Sequence, residues 1–295
     1  MKKTLCLALG IFLILPAHEA GAEASGIEQM LKQIKLPPGF KINLFAKARD
    51  ARSLVVDKHS NVVFVGSKSR YLHALADTDQ DGVADIVKQK SSRLHAPNGV
   101  AMLDGALYIG QRNRIVKWTG QVRDMLNRPL TPLKTIFTGL NNSAHHGRRV
   151  IAFGPDRMLY VAIGTPCNVC MPTRLQGIII RMDPDGRIVR IVARGVRNSV
   201  GFDWHPTTGE LFFTDNGSDG LGDDIPADEL NHVTRLGQHF GYPWYGGGDT
   251  RTPEFADETP PRDATQPVVK FQAHTANLGM HFYRGDMFPT EYKHD

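Results

Sequence analysis

Apolar positions in this 295-residue chain come in short runs, each followed by a polar turn and a second apolar run carrying an aliphatic and aromatic pair. The pattern reads SLVVDKHSNVVFVG at 53–66, GVAMLDGALYIG at 99–110, VIAFGPDRMLYVAIG at 150–164 and VGFDWHPTTGELFFTDNG at 200–217. Each unit predicts a β-hairpin. The anchor positions Val63, Leu107, Leu159 and Leu211 are separated by 44, 52 and 52 residues, the period of a propeller blade and too long for a solenoid coil. Further apolar runs at Tyr71 to Leu75, Ile115 to Trp118 and Ile178 to Met182 supply third strands. The expected fold is therefore an all-β propeller with four full blades; the same hairpins would also suit a β-sandwich. A fifth phase opens with LGMHFYRGDMFPTEY at 278–292 without a second strand. Ahead of the blades, Ser25 and Glu28 form a capping box before Ile27, Met30, Leu31 and Ile34, predicting a short helix that ends at Pro37 and Pro38.

The first residues change the expected compartment. Lys2 and Lys3 precede the apolar run Leu5 to Leu15 and the small residues Ala20, Gly21 and Ala22, the layout of a secretory signal peptide at 1–22. Residues 23–295 are then one propeller domain of an exported, periplasmic or secreted protein. No later stretch has the roughly twenty apolar residues of a membrane helix. The formal net charge of +5 comes with no basic run interleaved with aromatics, so nucleic acid is not an expected partner. Of three cysteines, Cys6 lies in the leader, leaving Cys167 and Cys170 spaced CxxC. A local disulfide suits an oxidising compartment. A thioredoxin-like pair would need a helix after the first cysteine, and zinc would need two further ligands.

Repeat phase places the chemically useful residues together. Loops that enter a blade's first strand and loops that leave its second share one rim of the channel. His95 and Asn98 precede the run at 99, His145 and His146 precede that at 150, and Arg197 and Asn198 precede that at 200. Cys167, Cys170, Gly217 and Ser218 follow second strands. Such convergence marks a candidate site. An imidazole there suits proton removal near neutral pH, and a guanidinium fork with exposed carbonyls suits a planar anion and a hard cation. Separately, DTDQDGVAD at 77–85 puts Asp77, Asp79, Asp81 and Asp85 at positions one, three, five and nine of a calcium loop, with Gly82 at six. Lys88 stands where the closing glutamate belongs, so a weak structural calcium is expected on the opposite face. The long stretch after Gly217, rich in Gly, Pro and Asp and containing GYPWYGGGDT at 241–250, reads as a functional or partner-facing loop.

Residues 195–231, GVRNSVGFDWHPTTGELFFTDNGSDGLGDDIPADELN, resemble the glucose/sorbosone dehydrogenase family, quinoproteins that use pyrroloquinoline quinone (PQQ) and calcium. The resemblance implies a six-bladed propeller, so the chain reads as C-terminally incomplete. It implies that His146, in HHGRRVIAFGPD, is the general base that takes the proton of a sugar hydroxyl while hydride passes to the quinone. Arg197 and Asn198 are implied to bind PQQ, backbone carbonyls of Gly217 and Ser218 to bind calcium, and Asp228, Glu229 and Asn231 to support that loop. His145 and Asn98 are assigned to the sugar pocket. Where the glucose enzymes have an EHGP-like turn this chain has DNGS, and where they have an acid and an amide it has the CNVC stretch from 167 to 170. That difference favours the sorbosone-type branch, with an aldose or sorbosone as substrate and an external electron acceptor. A calcium-dependent sugar lactonase and a non-catalytic binding propeller are the competing readings.

Overall fold

Four antiparallel sheets, formed one after another along the chain, dominate the computed structural model, which describes residues 18–293 apart from 92, 121 and 188. The chain divides into two compact units, Met1–Phe45 and Ala46–Asp295. The first contains helix α1, His18–Gln33. It starts upstream of the expected capping box, so Ser25 lies inside the helix rather than at its N-cap. The alanines at 20, 22 and 24 are strong helix formers and carry the helix past the local capping signal. Of the expected leader, residues 1–17 lie outside the described residues. Among the described residues no helix is long and apolar enough to cross a membrane.

The second unit is a four-blade β-propeller arrangement. Blade one is β1 (Ala51–Val56), β2 (Val63–Ser67), β3 (Tyr71–Ala76) and β4 (Ile86–Ser91), paired in that order. Blade two is β5 (Gly99–Leu103), β6 (Ala106–Gly110), β7 (Arg114–Trp118) and β8 (Lys134–Thr138). Blade three is β9 (Val150–Phe153), β10 (Leu159–Ile163), β11 (Ile178–Met182) and β12 (Arg190–Arg194). Blade four is β13 (Gly201–Trp204), β14 (Leu211–Asp215), β15 (Asp228–Val233) and, after an insertion, β19 (Val269–Phe271). The insertion adds β16 (Gln238–His239) in parallel to the outer edge of blade three, then the hairpin β17 (Tyr245–Gly247) and β18 (Thr250–Arg251).

Period-two alternation explains the stacking. Successive strand side chains point to opposite faces, and the middle strands of inner blades are apolar on both. Leu107 and Ile109 pack with Phe64 and Leu72 of blade one, whereas Tyr108 packs with Leu159, Val161 and Ile163 of blade three. Tyr160 and Ala162 then face Phe202, Trp204 and Phe213 of blade four. Burial of apolar area at about 25 cal/mol per Å² is the main force holding one blade on the next. Glycines allow the closest approaches: a Cβ at Gly66 would lie 2.1 Å from Asn98 O, and one at Gly99 would lie 2.4 Å from Arg149 O.

Inner strands of all four blades border a channel of about 1060 Å³, lined by residues such as Leu54, Val100, Ile151 and Phe202. The fifth phase adopts no strand at 278–284. The segment instead fastens to blade four through Asp203, which accepts hydrogen bonds from Phe282 N at 2.9 Å and from Arg284 Nη1 at 2.8 Å. A side-chain carboxylate holds it where a backbone ladder would have been needed to make a strand.

Candidate functional site

The rim that receives the ends of β2, β6, β10 and β14 is built around buried polar side chains. Ser67, Gln111 and Asp215 each stand four residues after the anchors Val63, Leu107 and Leu211, and all three are buried. Blade three has Ile163 at that position and sets its buried hydroxyl, Thr165, two residues on, on the same face. In blades two to four this side chain fastens the loop that enters the blade's first strand. Gln111 Oε1 accepts from His95 N at 2.7 Å, and Thr165 Oγ1 meets His146 Nδ1 at 3.4 Å. Asp215 accepts from Arg197 N at 2.7 Å and from Asn198 N at 2.5 Å. Buried polar groups must find partners, so in each of these three blades one residue both satisfies itself and positions a rim loop.

His146 and Asn198 meet at Gly164. A Cβ there would lie 2.7 Å from His146 Cβ and 3.2 Å from Asn198 Oδ1, so only a bare backbone lets both residues close on the end of β10. Thr165 joins Arg197 to the same point, its N and Oγ1 both donating to Arg197 O at 3.0 and 3.3 Å. His146 is half-buried with a left-handed backbone, φ 45°. Burial, then the charges of Arg197 and His145, push its pKa down to about 3. The imidazole is therefore neutral at physiological pH and has a free lone pair to receive a proton. His145 is exposed and its ring lies 3.9 Å from that of His146.

Below His146, Arg149 is fully buried yet its side chain has no carboxylate partner among the described residues. It donates to Arg112 O at 3.0 Å, to His146 O at 3.2 Å and to Asn141 O, clamping the histidine loop through three carbonyls. Its pKa falls to about 10, through burial and then Arg112, so the charge persists. Asn98 is likewise buried, and its amide donates to Arg149 O at 3.0 Å. That bond braces blade two against blade three, and Asn98 also lines the channel.

Arg197 is only 4 % exposed. Its Nε donates to Asn168 O at 3.0 Å, Nη1 to Asn216 O at 3.2 Å, and Nη2 to Asn168 Oδ1 at 2.8 Å and Asp219 Oδ2 at 3.0 Å. Four of its five N–H donors are thus taken by the protein. Asn168 sits between Cys167 and Cys170, which form a disulfide with Cα atoms 6.2 Å apart. Tyr242 from the insertion fastens that loop, its hydroxyl accepting from Cys170 N at 2.9 Å and donating to Asn168 O at 3.3 Å. Asn198 Nδ2 donates to Asn216 Oδ1 at 3.1 Å.

The turn after β14 holds Gly217 and Ser218. Gly217 N donates to Asp228 Oδ1 and Ser218 N to Gly246 O, both at 2.7 Å. The glycine run of the insertion therefore backs this turn: a Cβ at Gly246 would lie 2.2 Å from Ser218 Oγ. Ser218 is fully buried and its hydroxyl has no partner. Asp215 and Glu229 face each other across β14 and β15. Burial raises the pKa of both, and the charge of Asp215 adds to the rise at Glu229. Each carboxylate accepts two N–H bonds, Asp215 from Arg197 N and Asn198 N and Glu229 from Gly248 N and Asn231 Nδ2. The charge of Arg197 lowers only Asp215, so Asp215 ionises first and Glu229 holds the proton.

Rim residues expected from the sequence come together here, namely His145, His146, Arg197, Asn198, Gly217, Ser218 and the cysteine pair. The acidic loop lies between β3 and β4, at the opposite end of blade one. Carboxylate oxygens of Asp77, Asp79 and Asp85 lie within 4.8 Å of one another. Asp81 is outside that group and accepts from Val83 N at 2.8 Å. Arg149, Asn168 and Asp215 were not among the expected site residues. Only Asp215 carried a visible signal, an acid in phase with the apolar Leu211 and Phe213.

The fold and its rim define a four-blade β-propeller arrangement with buried polar groups gathered at one rim. The family model for glucose/sorbosone dehydrogenase matches residues 44–295, and the chain belongs to that family. An uncharacterised protein of Borreliella burgdorferi is 34% identical over 277 residues, covering 90% of this chain and 71% of its own. Among solved structures, a Trichoderma reesei carbohydrate-active enzyme of family AA12, described as a calcium structure, superposes with TM-score 0.71 at 19% identity, over 82% of this chain and 73% of that one. The PQQ domain of pyranose dehydrogenase from Coprinopsis cinerea gives 0.65 at 18%, over 80% and 69%. At such identities these two likenesses speak for the fold.

Proposed function

We propose that the protein is an exported, PQQ- and calcium-dependent dehydrogenase of an aldose, sorbosone or related sugar, with His146 as the general base. The observation that carries this reading is the position of the His146 imidazole, closed against Asn198 at Gly164 and tied through Thr165 to Arg197. A base must be unprotonated and works best with a pKa near the operating pH. Burial and Arg197 keep His146 neutral while lowering its basicity, so the position of its ring, not its pKa, supports the role. Membership of the family supports oxidation of a sugar. The leader sequence at 1–22 supports export.

The donor set suits the proposed groups. Among the described residues, the carbonyls of Gly217 and Ser218 accept no hydrogen bond, and the buried Ser218 hydroxyl beside them is unpaired. Oxygen donors of that kind suit a hard cation. Asn198 and the remaining Nη1 N–H of Arg197 are the polar groups assigned to the quinone. When bound, PQQ supplies an acceptor for hydride and calcium makes its carbonyl more electrophilic. His146 takes the hydroxyl proton of the sugar, Thr165 and Arg149 hold its ring and backbone, and His145 borders the sugar. Asp77, Asp79 and Asp85 are proposed as a weak structural calcium loop, remote from the reaction.

Reconstitution tests the reading. Purified protein supplied with PQQ and calcium should reduce a dye when given an aldose, and omission of either group should remove the activity. Lactone hydrolysis without PQQ, with no dye reduction, would instead favour the lactonase.

A further inference from the structure

Arg197 is engaged by protein on four donors, yet the neighbouring rim carries guanidinium groups with no partner. Among the described residues, Arg52, Arg70, Arg112, Arg114 and Arg148 form no ion pair and donate no side-chain hydrogen bond. Arg112 lies in the turn joining β6 to β7 and Arg114 opens β7, on the same rim as His146. Arg112 N donates to His95 O at 3.1 Å, and a Cβ at Gly147, next to His146, would lie 3.3 Å from Arg112 Cγ. Arg112 therefore borders the histidine loop directly. Arg52 and Arg148 line the channel beside it.

The turn and the first residue of β7 also contain buried polar atoms that find nothing in the protein: Gln111 Nε2, Arg112 Nε and Arg114 Nε as donors, and Asn113 Oδ1 as an acceptor. Gln111 is fully buried and its Oε1 is already used by His95 N. Buried polar groups are ordinarily hydrogen-bonded, so three unmade donors beside cations without an ion pair suit an anionic acceptor. Their charges also depress the pKa of His95, after burial, and that of Arg148.

We propose that the β6–β7 turn, through Arg112 with Gln111 and Arg114, binds a carboxylate group of the ligand that reacts at His146. The planar fork of arginine accepts a carboxylate in two parallel hydrogen bonds, and Asn113 Oδ1 accepts from an N–H or O–H on the same molecule. A carboxylate at this rim comes from one of two sources, the tricarboxylate quinone or a sugar acid. Both sources rest on the role of His146 proposed above, but only the first requires PQQ.

Calorimetric titration of the folded protein with PQQ and, separately, with a hexuronate tests the assignment. For the ligand that uses the turn, Arg112→Gln should weaken binding at least tenfold, Arg112→Lys should recover part of the loss, and inorganic phosphate should compete with the parent. Weakening for PQQ assigns the carboxylate to the cofactor. Weakening for the hexuronate alone assigns it to substrate, and stands even if PQQ fails to bind the parent. Equal affinity of parent and Arg112→Gln for both ligands, or no binding of either to the parent, would overturn the proposal. Should Arg112→Gln not fold, Arg114→Gln and the phosphate competition give the same decision.

Discussion

Arg197 and Arg112 border one histidine loop and carry the same charge into opposite situations. Arg197 is enclosed by Asn168, Asn216 and Asp219, so it acts first as part of the framework. Arg112 has Nε buried and unpaired, so the fold around it stays incomplete until something else arrives. A guanidinium in a motif is therefore not by itself a ligand-binding group. What decides its role is how many of its five donors the protein has already used.

Removing each arginine should separate the two roles. Arg197→Ala removes a buried side chain and leaves the carbonyls of Asn168 and Asn216 without their donor, and should cost roughly 1–3 kcal/mol in chemical denaturation. Arg112→Ala should cost less than about 1 kcal/mol, because the lost cation had no partner. Equal losses would erase the distinction.

The Arg197 framework can be loosened at its disulfide. Closing so short a loop stabilises by about 2 kcal/mol in the chain-entropy account. The Cys167→Ser, Cys170→Ser double variant should lose about that much in denaturant. Its Arg197 Nε–H, which donates to Asn168 O, should exchange with solvent faster in nitrogen-15 NMR. Unchanged exchange would detach the cysteine loop from Arg197.

Acid–base behaviour sharpens the contrast further. Glu229 is protonated in the fold and ionised in the unfolded chain, so its raised pKa costs nothing below the ordinary carboxylate range. That cost grows as pH rises above it. Glu229→Gln should match the parent near pH 4 and exceed it by roughly 1–3 kcal/mol at pH 9. A constant difference across that range would deny the buried proton. A smaller effect is expected at His146. Its imidazole should remain neutral at pH 5 by NMR, and Arg197→Gln should raise its midpoint, since the guanidinium charge helps to hold it down.

Blade organisation was legible because hairpins with both faces buried leave a strong apolar signature, and the anchors Val63, Leu107, Leu159 and Leu211 each begin or lie within a second strand. The shared rim followed from strand direction alone. Local signals failed where other contacts outweighed them. The capping box at Ser25 gave way to an alanine-rich extension of α1, and the strand-like run from 278 is held by Asp203 instead of a ladder. Asn98 lines the channel as its position in the repeat suggests, while its bond to Arg149 O could not be foreseen from spacing. Arg149 and Asn168 gave no warning, since their importance lies in carbonyls contributed by distant loops, which no spacing along the chain records.

In the function proposed above, His146 takes the proton when a sugar reduces the quinone. Stopped-flow absorbance of the PQQ- and calcium-loaded protein mixed with an aldose tests this most directly. Parent protein should reduce the quinone in a single turnover, and His146→Ala, loaded to the same extent, should do so about 10²–10⁴-fold more slowly. Reduction at the parent rate in His146→Ala would contradict the assignment.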